Sequence, residues 1–197
     1  MKCFILATSH RSSSQTAKVC QYISNRLVEQ GHDVSFHDCG VEPLPMWSPD
    51  REGPLWRDLW QGVAEKMESA DALILGTPEW HGMATPQAKN FFMLSSSQQL
   101  GHKPGLLVSV SAGKGGAYPI AELRASSYKN NRIVWLPEHL IVKEVGSVLN
   151  QDEAESPSDV WIRDRIDYAL SHLSLYATAL SSIRDQLPED ARFTNGM

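Results

Sequence analysis

Strand and helix patterns alternate five times along the chain, which predicts an α/β protein: a five-stranded parallel sheet with helices on both faces. The runs near residues 2–8, 71–76 and 104–110 are apolar without helical period, as strands buried on both faces are. Three of the strand ends open into loops of Ser, Gly, Pro, Arg and His, the composition expected where an open sheet meets a ligand.

The elements follow in order. Residues 2–8 form the first strand and run straight into Ser9-His10-Arg11-Ser12-Ser13-Ser14. Ala17, Val19, Cys20, Ile23 and Leu27 recur at three- and four-residue steps with Lys18, Gln21, Asn25, Arg26 and Glu29 opposite them, which predicts an amphipathic helix ended by Gly31. Residues 33–38 alternate with period two and predict a half-exposed strand near an edge. Residues 39–57 hold too many prolines for a regular element and too many apolar groups for a free linker, so an ordered cover is expected. A helix from Leu55 to about Ser69 leads into the third strand, 71–76.

Pro86 suits the first turn of a helix expected to reach about residue 99, where Gly101 closes it. Residues 104–110 are the fourth strand, 111–117 a glycine-rich loop, and a further helix extends to about Tyr128. The fifth strand is read in two pieces, 133–136 and 140–142, because Pro137 removes a ladder hydrogen bond; the second piece is expected to leave the sheet. An acidic loop over 144–159 precedes a last helix, 159–184, with Val160, Ile162, Ile166, Ala169, Leu170, Leu173, Ala177 and Leu180 as its apolar positions, and the final dozen residues are expected to fray.

With 197 residues the chain suits one domain, and 42% hydrophobic with 21% charged residues is an ordinary globular balance. A net charge of −5 with scattered cations argues against a nucleic-acid or anionic-membrane surface. The apolar stretch after Met1-Lys2 is too short for a signal peptide, so the cytoplasm is the expected compartment. Cys3, Cys20 and Cys39 form no C-x-x-C pair and are read as buried thiols in a reducing environment.

The loop from Ser9 to Thr16 joins a buried strand to a helix N-terminus, where unpartnered amides and the helix dipole favour an anion. Its hydroxyls and Arg11 suit a phosphate, and equally a serine-rich helix cap. It lacks the G-x-G-x-x-G and G-x-x-x-x-G-K-[ST] spacings, so a single terminal phosphate fits better than a dinucleotide or a triphosphate. Gly76 to Pro86 reads as a loop on which a planar ligand can lie, or as a structural turn.

These loops resemble those of the NAD(P)H-dependent FMN reductases, flavodoxin-like proteins that include quinone, azo-dye and chromate reductases. Ser9-x-Arg11-x-x-Ser14-Gln15-Thr16 is similar to the family's S-x-R-x-x-S-N-T phosphate loop, with Gln15 for Asn. Pro78-Glu79-Trp80-His81-Gly82, followed by Pro86, Lys89 and Asn90, is similar to the P-E-Y-N-G loop, with Trp80 and His81 for Tyr and Asn. Ser111-Ala112-Gly113-Lys114-Gly115-Gly116 resembles the glycine-rich third loop, with Leu123-Arg124 beyond it. The likeness covers about residues 2–142 and fades in the C-terminal helix and tail.

The resemblance implies a flavodoxin-like three-layer sandwich with strand order 2-1-3-4-5, bound FMN, and NADPH or NADH as electron donor. It implies that Ser9, Arg11, Ser14, Gln15 and Thr16 hold the phosphate. Pro78, Glu79, Trp80, His81 and Gly82 would meet the isoalloxazine, and Ser111, Gly113, Gly115 and Gly116 would let the chain approach the pyrimidine edge. Hydride would pass by way of flavin N5 to a small acceptor such as a quinone, an azo compound, free flavin or a metal oxyanion, in a homodimer or homotetramer.

No protein nucleophile or metal is needed. The histidines make no H-E-x-x-H or H-x-x-x-H spacing, no serine has G-x-S-x-G, and the Cys20 to Arg26 C-x5-R spacing falls inside a helical repeat that cannot wrap a phosphate. Trp47, Trp56, Trp60, Trp135 and Trp161 read as core or subunit contacts. Two rival readings share the fold: an FMN-bearing electron carrier serving a protein partner, and a non-catalytic binding protein.

Overall fold

The strands of the computed structural model stand in the order β2-β1-β3-β4-β5 and all neighbours are parallel. The structure describes residues 1–49, 54–188, 191–193 and 195–196. The strands are β1 Lys2–Ala7, β2 Asp33–Asp38, β3 Ala72–Pro78, β4 Pro104–Val110 and β5 Val134–Val142; the helices are α1 Gln15–Glu29, α2 Pro54–Ser69, α3 Pro86–Leu94, α4 Ser97–Leu100, α5 Ala117–Ser126 and α6 Pro157–Arg184.

Alternation along the strands divides the core. Cys3, Ile5 and Ala7 of β1 meet α1 and α6, whereas Phe4 and Leu6 meet the layer built from α2 to α5. Both faces of β1, β3 and β4 are therefore covered, which is why those strands read as unbroken apolar runs. Close approach of α1 to the sheet depends on Gly76, where a Cβ would lie 2.3 Å from Cys20 Sγ.

The fifth strand corrects an expectation. Pro137 does not send 140–142 out of the sheet: β5 is one strand, with Trp135 opposite Gly105 and His139 opposite Leu107, so the residues between them bulge out. A bulge in an edge strand needs no ladder N–H from proline, and the Arg124 guanidinium takes up the freed Leu136, Pro137 and Glu138 carbonyls.

Other differences are local. The helix expected from Pro86 to about 99 is two, because Ser96 and Gln99 form a capping box that starts α4 anew. The acidic stretch 144–159 contains a 3₁₀ turn, Val145–Ser147, and buries Val148 and Leu149; Asp159 is fully buried, accepting from the Leu149 amide and pairing with Arg163. Val160 is 48% exposed, so it stands outside the inner face of α6 that Ile162, Ile166, Leu170 and Leu173 form. In the tail expected to fray, Ala191–Phe193 is a 3₁₀ turn whose Phe193 carbonyl accepts from Arg132, while 189–190, 194 and 197 lie outside the described residues.

The cover after β2 is ordered where described: Leu44 and Pro45 are buried, and the Asn90 side chain holds the Pro45 carbonyl and the Trp47 amide. Residues 50–53 of that expected cover lie outside the described part. Among the described residues no helix is long and apolar enough to cross a membrane.

Candidate cofactor site

β1, β3 and β4 end on one rim of the sheet, and each exit loop has its own means of holding shape. Thr8 and Ser9 remain buried as β1 leaves the sheet; the chain then turns outward through exposed His10 to Ser13. The Arg11 amide donates to Ser9 Oγ at 3.3 Å, Ser13 takes a left-handed φ of 56°, and Ser14 caps α1 by accepting from the Ala17 amide at 3.0 Å. Gly40 lets β2's exit loop support this turn from behind, since a Cβ there would lie 2.3 Å from the Arg11 carbonyl oxygen. The mouth of α1 is thereby open, with hydroxyls and first-turn amides around it.

At the exit of β3 the Glu79 amide donates to the Val110 carbonyl, and the next four residues form a two-residue hairpin. His81 and Gly82 have φ of 51° and 73°, and Trp80 and Met83 exchange backbone hydrogen bonds of 3.1 and 2.9 Å. Two positive φ values in a row define a type I′ turn, which Gly accepts freely and His tolerates better than a β-branched residue. The Trp80 ring lies against the first loop: His10 meets it edge-on at 4.6 Å and the Arg11 guanidinium carbon stands 4.8 Å from its centroid.

The third loop is held by the second. Glu79 Oε2 accepts from the Gly116 amide at 2.6 Å, and its Oε1 lies 2.5 Å from where a Gly115 Cβ would be. Gly116 has φ 113°, and a Cβ on it would fall 2.4 Å from Ile141 Cγ2. Space beside Gly113 is open. The Ser111 amide donates to Val142, the Val145 amide to Ser111, and the Glu144 amide to Gly113, so the turn after β5 joins the rim. Lys18 Nζ fastens that turn to α1, with 2.8 Å bonds to the Val145 and Val148 carbonyls and to Asn150 Oδ1.

Ser9, Arg11, Ser14, Gln15, Thr16, Pro78, Glu79 and Trp80 line one cavity of about 290 Å³, with Ala112 and Val145 closing it. Ser111, Gly113, Gly115 and Gly116 belong to the loop at its border, whereas His81 and Gly82 are exposed at the hairpin tip and act on its shape. Sequence reasoning missed Thr8 and Thr85. Thr85 Oγ1 caps α3 and lies 2.9 Å from the Thr8 carbonyl and 3.0 Å from Thr8 Oγ1, which in turn reaches the Gly76 carbonyl. A threonine just beyond an apolar run was the available signal for Thr8. Val145 carried none, being apolar and distant in sequence.

All three cysteines are buried and free. Burial pushes the Cys3 and Cys39 thiols up to about 12, and Cys20 higher still, so none offers a thiolate near neutral pH. Among the described residues no group of three or more His, Cys, Asp or Glu is placed to hold a metal ion.

A sheet of order 2-1-3-4-5 whose first, third and fourth strands deliver a hydroxyl-lined helix mouth, an aromatic hairpin and a glycine loop to one rim defines a flavodoxin-like protein. The chain belongs to the NADPH-dependent FMN reductase family, whose pattern matches residues 1–145. It is accordingly an oxidoreductase that works with FMN and NADPH. It is similar to the NADPH azoreductase of Bacillus sp. (strain OY1-2), 28% identical over 129 residues, 64% of this chain and 68% of that one. It is also similar to the FMN-dependent NADPH-azoreductase of Staphylococcus saprophyticus, 26% identical over 127 residues, 63% and 68% of the two chains.

Among solved structures, an oxidoreductase from Corynebacterium diphtheriae superposes with a TM-score of 0.67 at 16% identity, covering 90% of this chain and 97% of that one. FerB, a flavoenzyme NAD(P)H:(acceptor) oxidoreductase from Paracoccus denitrificans, gives 0.63 at 18% identity, covering 87% and 98%. A flavodoxin from the domain Archaea gives 0.53 at 14%, covering 89% and 99%. At these identities the likeness is one of fold.

Proposed function

We propose that the chain transfers hydride from NADPH by way of FMN to a small aromatic acceptor, an azo compound or a quinone first, with free flavin and metal oxyanions as further candidates. The observation that carries the reading is the Glu79 link: one carboxylate joins the hairpin after β3 to the glycine loop after β4, so two walls of a planar slot are held together before any ligand enters. The residues present fit FMN. Ser14, Gln15 and Thr16 present hydroxyl, amide and helix-mouth groups to a terminal phosphate, and Ser9 braces the loop that delivers them. Arg11, which lines the same cavity and stands 4.8 Å from the Trp80 centroid, would supply the positive charge toward the phosphate.

FMN held there would supply the two-electron hydride chemistry. The protein's part is position. Trp80 offers an aromatic wall, His81 and Gly82 fix its hairpin, and Ser111, Gly113, Gly115 and Gly116 leave backbone open to the ring's polar edge. We also propose one flavin-binding domain over 1–197, a reducing cytoplasmic setting consistent with three free thiols, and a homodimer or homotetramer. The outer face of α6, where Tyr168 and Leu175 are exposed seven residues apart, is the surface offered to a second copy. Light scattering at micromolar concentration checks the assembly.

The test is direct. Protein mixed with FMN and freed of excess should keep a flavin spectrum that bleaches with NADPH under anaerobic conditions and recovers when an azo dye or a benzoquinone is added. A protein that takes up no FMN, or keeps its colour with NADPH, overturns the reading.

A further inference from the structure

We propose that the cleft between edge strand β5 and the start of α6 seats the adenosine 2′-phosphate end of NADPH, and so sets the preference for NADPH over NADH. This cavity, of about 620 Å³, is distinct from the one described above. Ile141 and Ile162 form its apolar floor, Trp161 stands at its edge with 63% of its surface exposed, and Lys143, His139 and Arg165 surround it. An indole beside cations suits a purine that carries phosphate.

The two cavities share a wall. In the turn after β5, Val145 faces the flavin cavity while Glu144 and Ser147 line this one. The Glu144 amide is bonded to the Gly113 carbonyl at 2.8 Å, which connects the cleft to the glycine loop. A dinucleotide with its nicotinamide at the flavin therefore has this cleft as a neighbouring concave surface.

Chemistry narrows the occupant. NADPH and NADH differ only in the ribose phosphate at the end remote from the nicotinamide, so groups that discriminate them must lie outside the ring slot. Of the cations on this rim, Arg11 is stacked on Trp80, Lys18 is spent on three oxygen acceptors, and Lys114 stands in the glycine loop outside the lining of this cleft. Arg165 is paired with Glu138, but among the described residues Lys143 has no hydrogen-bond or ion-pair partner. His139 Nδ1 is buried and likewise without a hydrogen-bond partner among them. Glu144 is the carboxylate in the lining; it is exposed, and its backbone is fixed in the left-handed region at φ 46°.

The proposal rests on the reading that the three loops hold FMN, and the experiment separates the two. FMN-loaded protein is titrated calorimetrically with adenosine 2′,5′-bisphosphate and, as control, adenosine 5′-monophosphate. Turnover with NADPH and NADH is then measured for wild type, Lys143→Ala and Trp161→Ala. The bisphosphate should bind about tenfold or more tightly than the monophosphate and compete with NADPH. Lys143→Ala should lower the ratio of kcat/KM for NADPH to that for NADH about tenfold, and Trp161→Ala should weaken bisphosphate binding by a similar factor. Equal binding of the two nucleotides, or a ratio changed less than about twofold by Lys143→Ala, overturns the assignment. Failure of wild type to bind FMN would instead overturn the flavin reading.

Discussion

Replacing Glu79 by alanine tests whether the slot is built in advance of its ligand. The Glu79 carboxylate accepts from the Gly116 amide at 2.6 Å, a hydrogen bond with one charged partner, worth about 1.5–3 kcal/mol. It also fills the space against Gly115, where a Cβ would be 2.5 Å from Oε1. If that bond holds the third loop in its binding shape, its loss must be made good by the ligand, and FMN Kd should rise about 10- to 150-fold. Glu79→Gln keeps the shape and a neutral acceptor worth about 1 kcal/mol, so its loss should be smaller, about 2- to 30-fold. Titration by quenching of FMN fluorescence gives both constants, and thermal unfolding monitored by circular dichroism gives the control. The expected fall in Tm is about 3–12 °C, at about 2–4 °C per kcal/mol for a chain of this size. An alanine variant that folds and binds FMN within about twofold of wild type would refute the reasoning, because the link would then be incidental to the slot.

Four further outcomes are expected. Arg11→Ala should raise FMN Kd about tenfold or more with little change in Tm, since Arg11 is exposed and contacts Trp80 rather than the core; unchanged affinity in the same titration counts against the phosphate loop. Thr85→Val removes the cap of α3 and the buried bonds to Thr8, and should cost about 2 kcal/mol, read as a lower urea midpoint at constant slope. His81→Asn should leave the hairpin intact, whereas His81→Val, a β-branched residue forced to positive φ, should weaken FMN binding and lower Tm. Burial raises all three thiols above their unfolded value of 9.0, so the stability they contribute is complete below pH 9 and is lost as pH rises beyond it, on the order of 1 kcal/mol each by pH 10. Lys103, lowered to about 8 by burial, acts in the opposite sense from pH 8 to 10.5, and its contribution cancels when wild type is compared with a variant carrying Cys3→Ala, Cys20→Ala and Cys39→Ala. The urea midpoint should fall less from pH 8 to pH 10 in that variant than in wild type; equal declines would refute the thiol account.

The sheet was legible because its central strands are buried on both faces, and such strands announce themselves as short apolar runs between helical periods. The first loop was legible because a helix mouth uses a small set of residue types, and Ser14 caps α1 as its position suggested. What escaped was whatever depends on distant partners. Pro137 is a strand breaker by local rule, yet Gly105 and Arg124, far from it in sequence, make room for the bulge and satisfy it. Val145 and Lys18 reach the rim through contacts more than a hundred residues long, which no periodicity encodes.

The departures Trp80 and His81 show how much of such a site resides in backbone shape. A two-residue hairpin turn of type I′ asks for positive φ at both central positions, and the Asn-Gly of the P-E-Y-N-G pattern that this loop resembles meets that demand because Asn and Gly are the residues that enter this region at least cost. His81-Gly82 meets it with φ of 51° and 73°. The substitution therefore leaves the hairpin and its Trp80–Met83 bonds in place while changing the side chain at an exposed tip. Trp80 is different in kind: its larger ring gathers His10 and Arg11 around it, so the aromatic wall, the cation and the first loop become one packed group. Glu79, the residue before it, then links that group to the glycine loop. Three consecutive residues after β3 thus set the turn, the wall and the clamp separately, and each can vary without the others provided the backbone stays where Thr85 and Thr8 hold it.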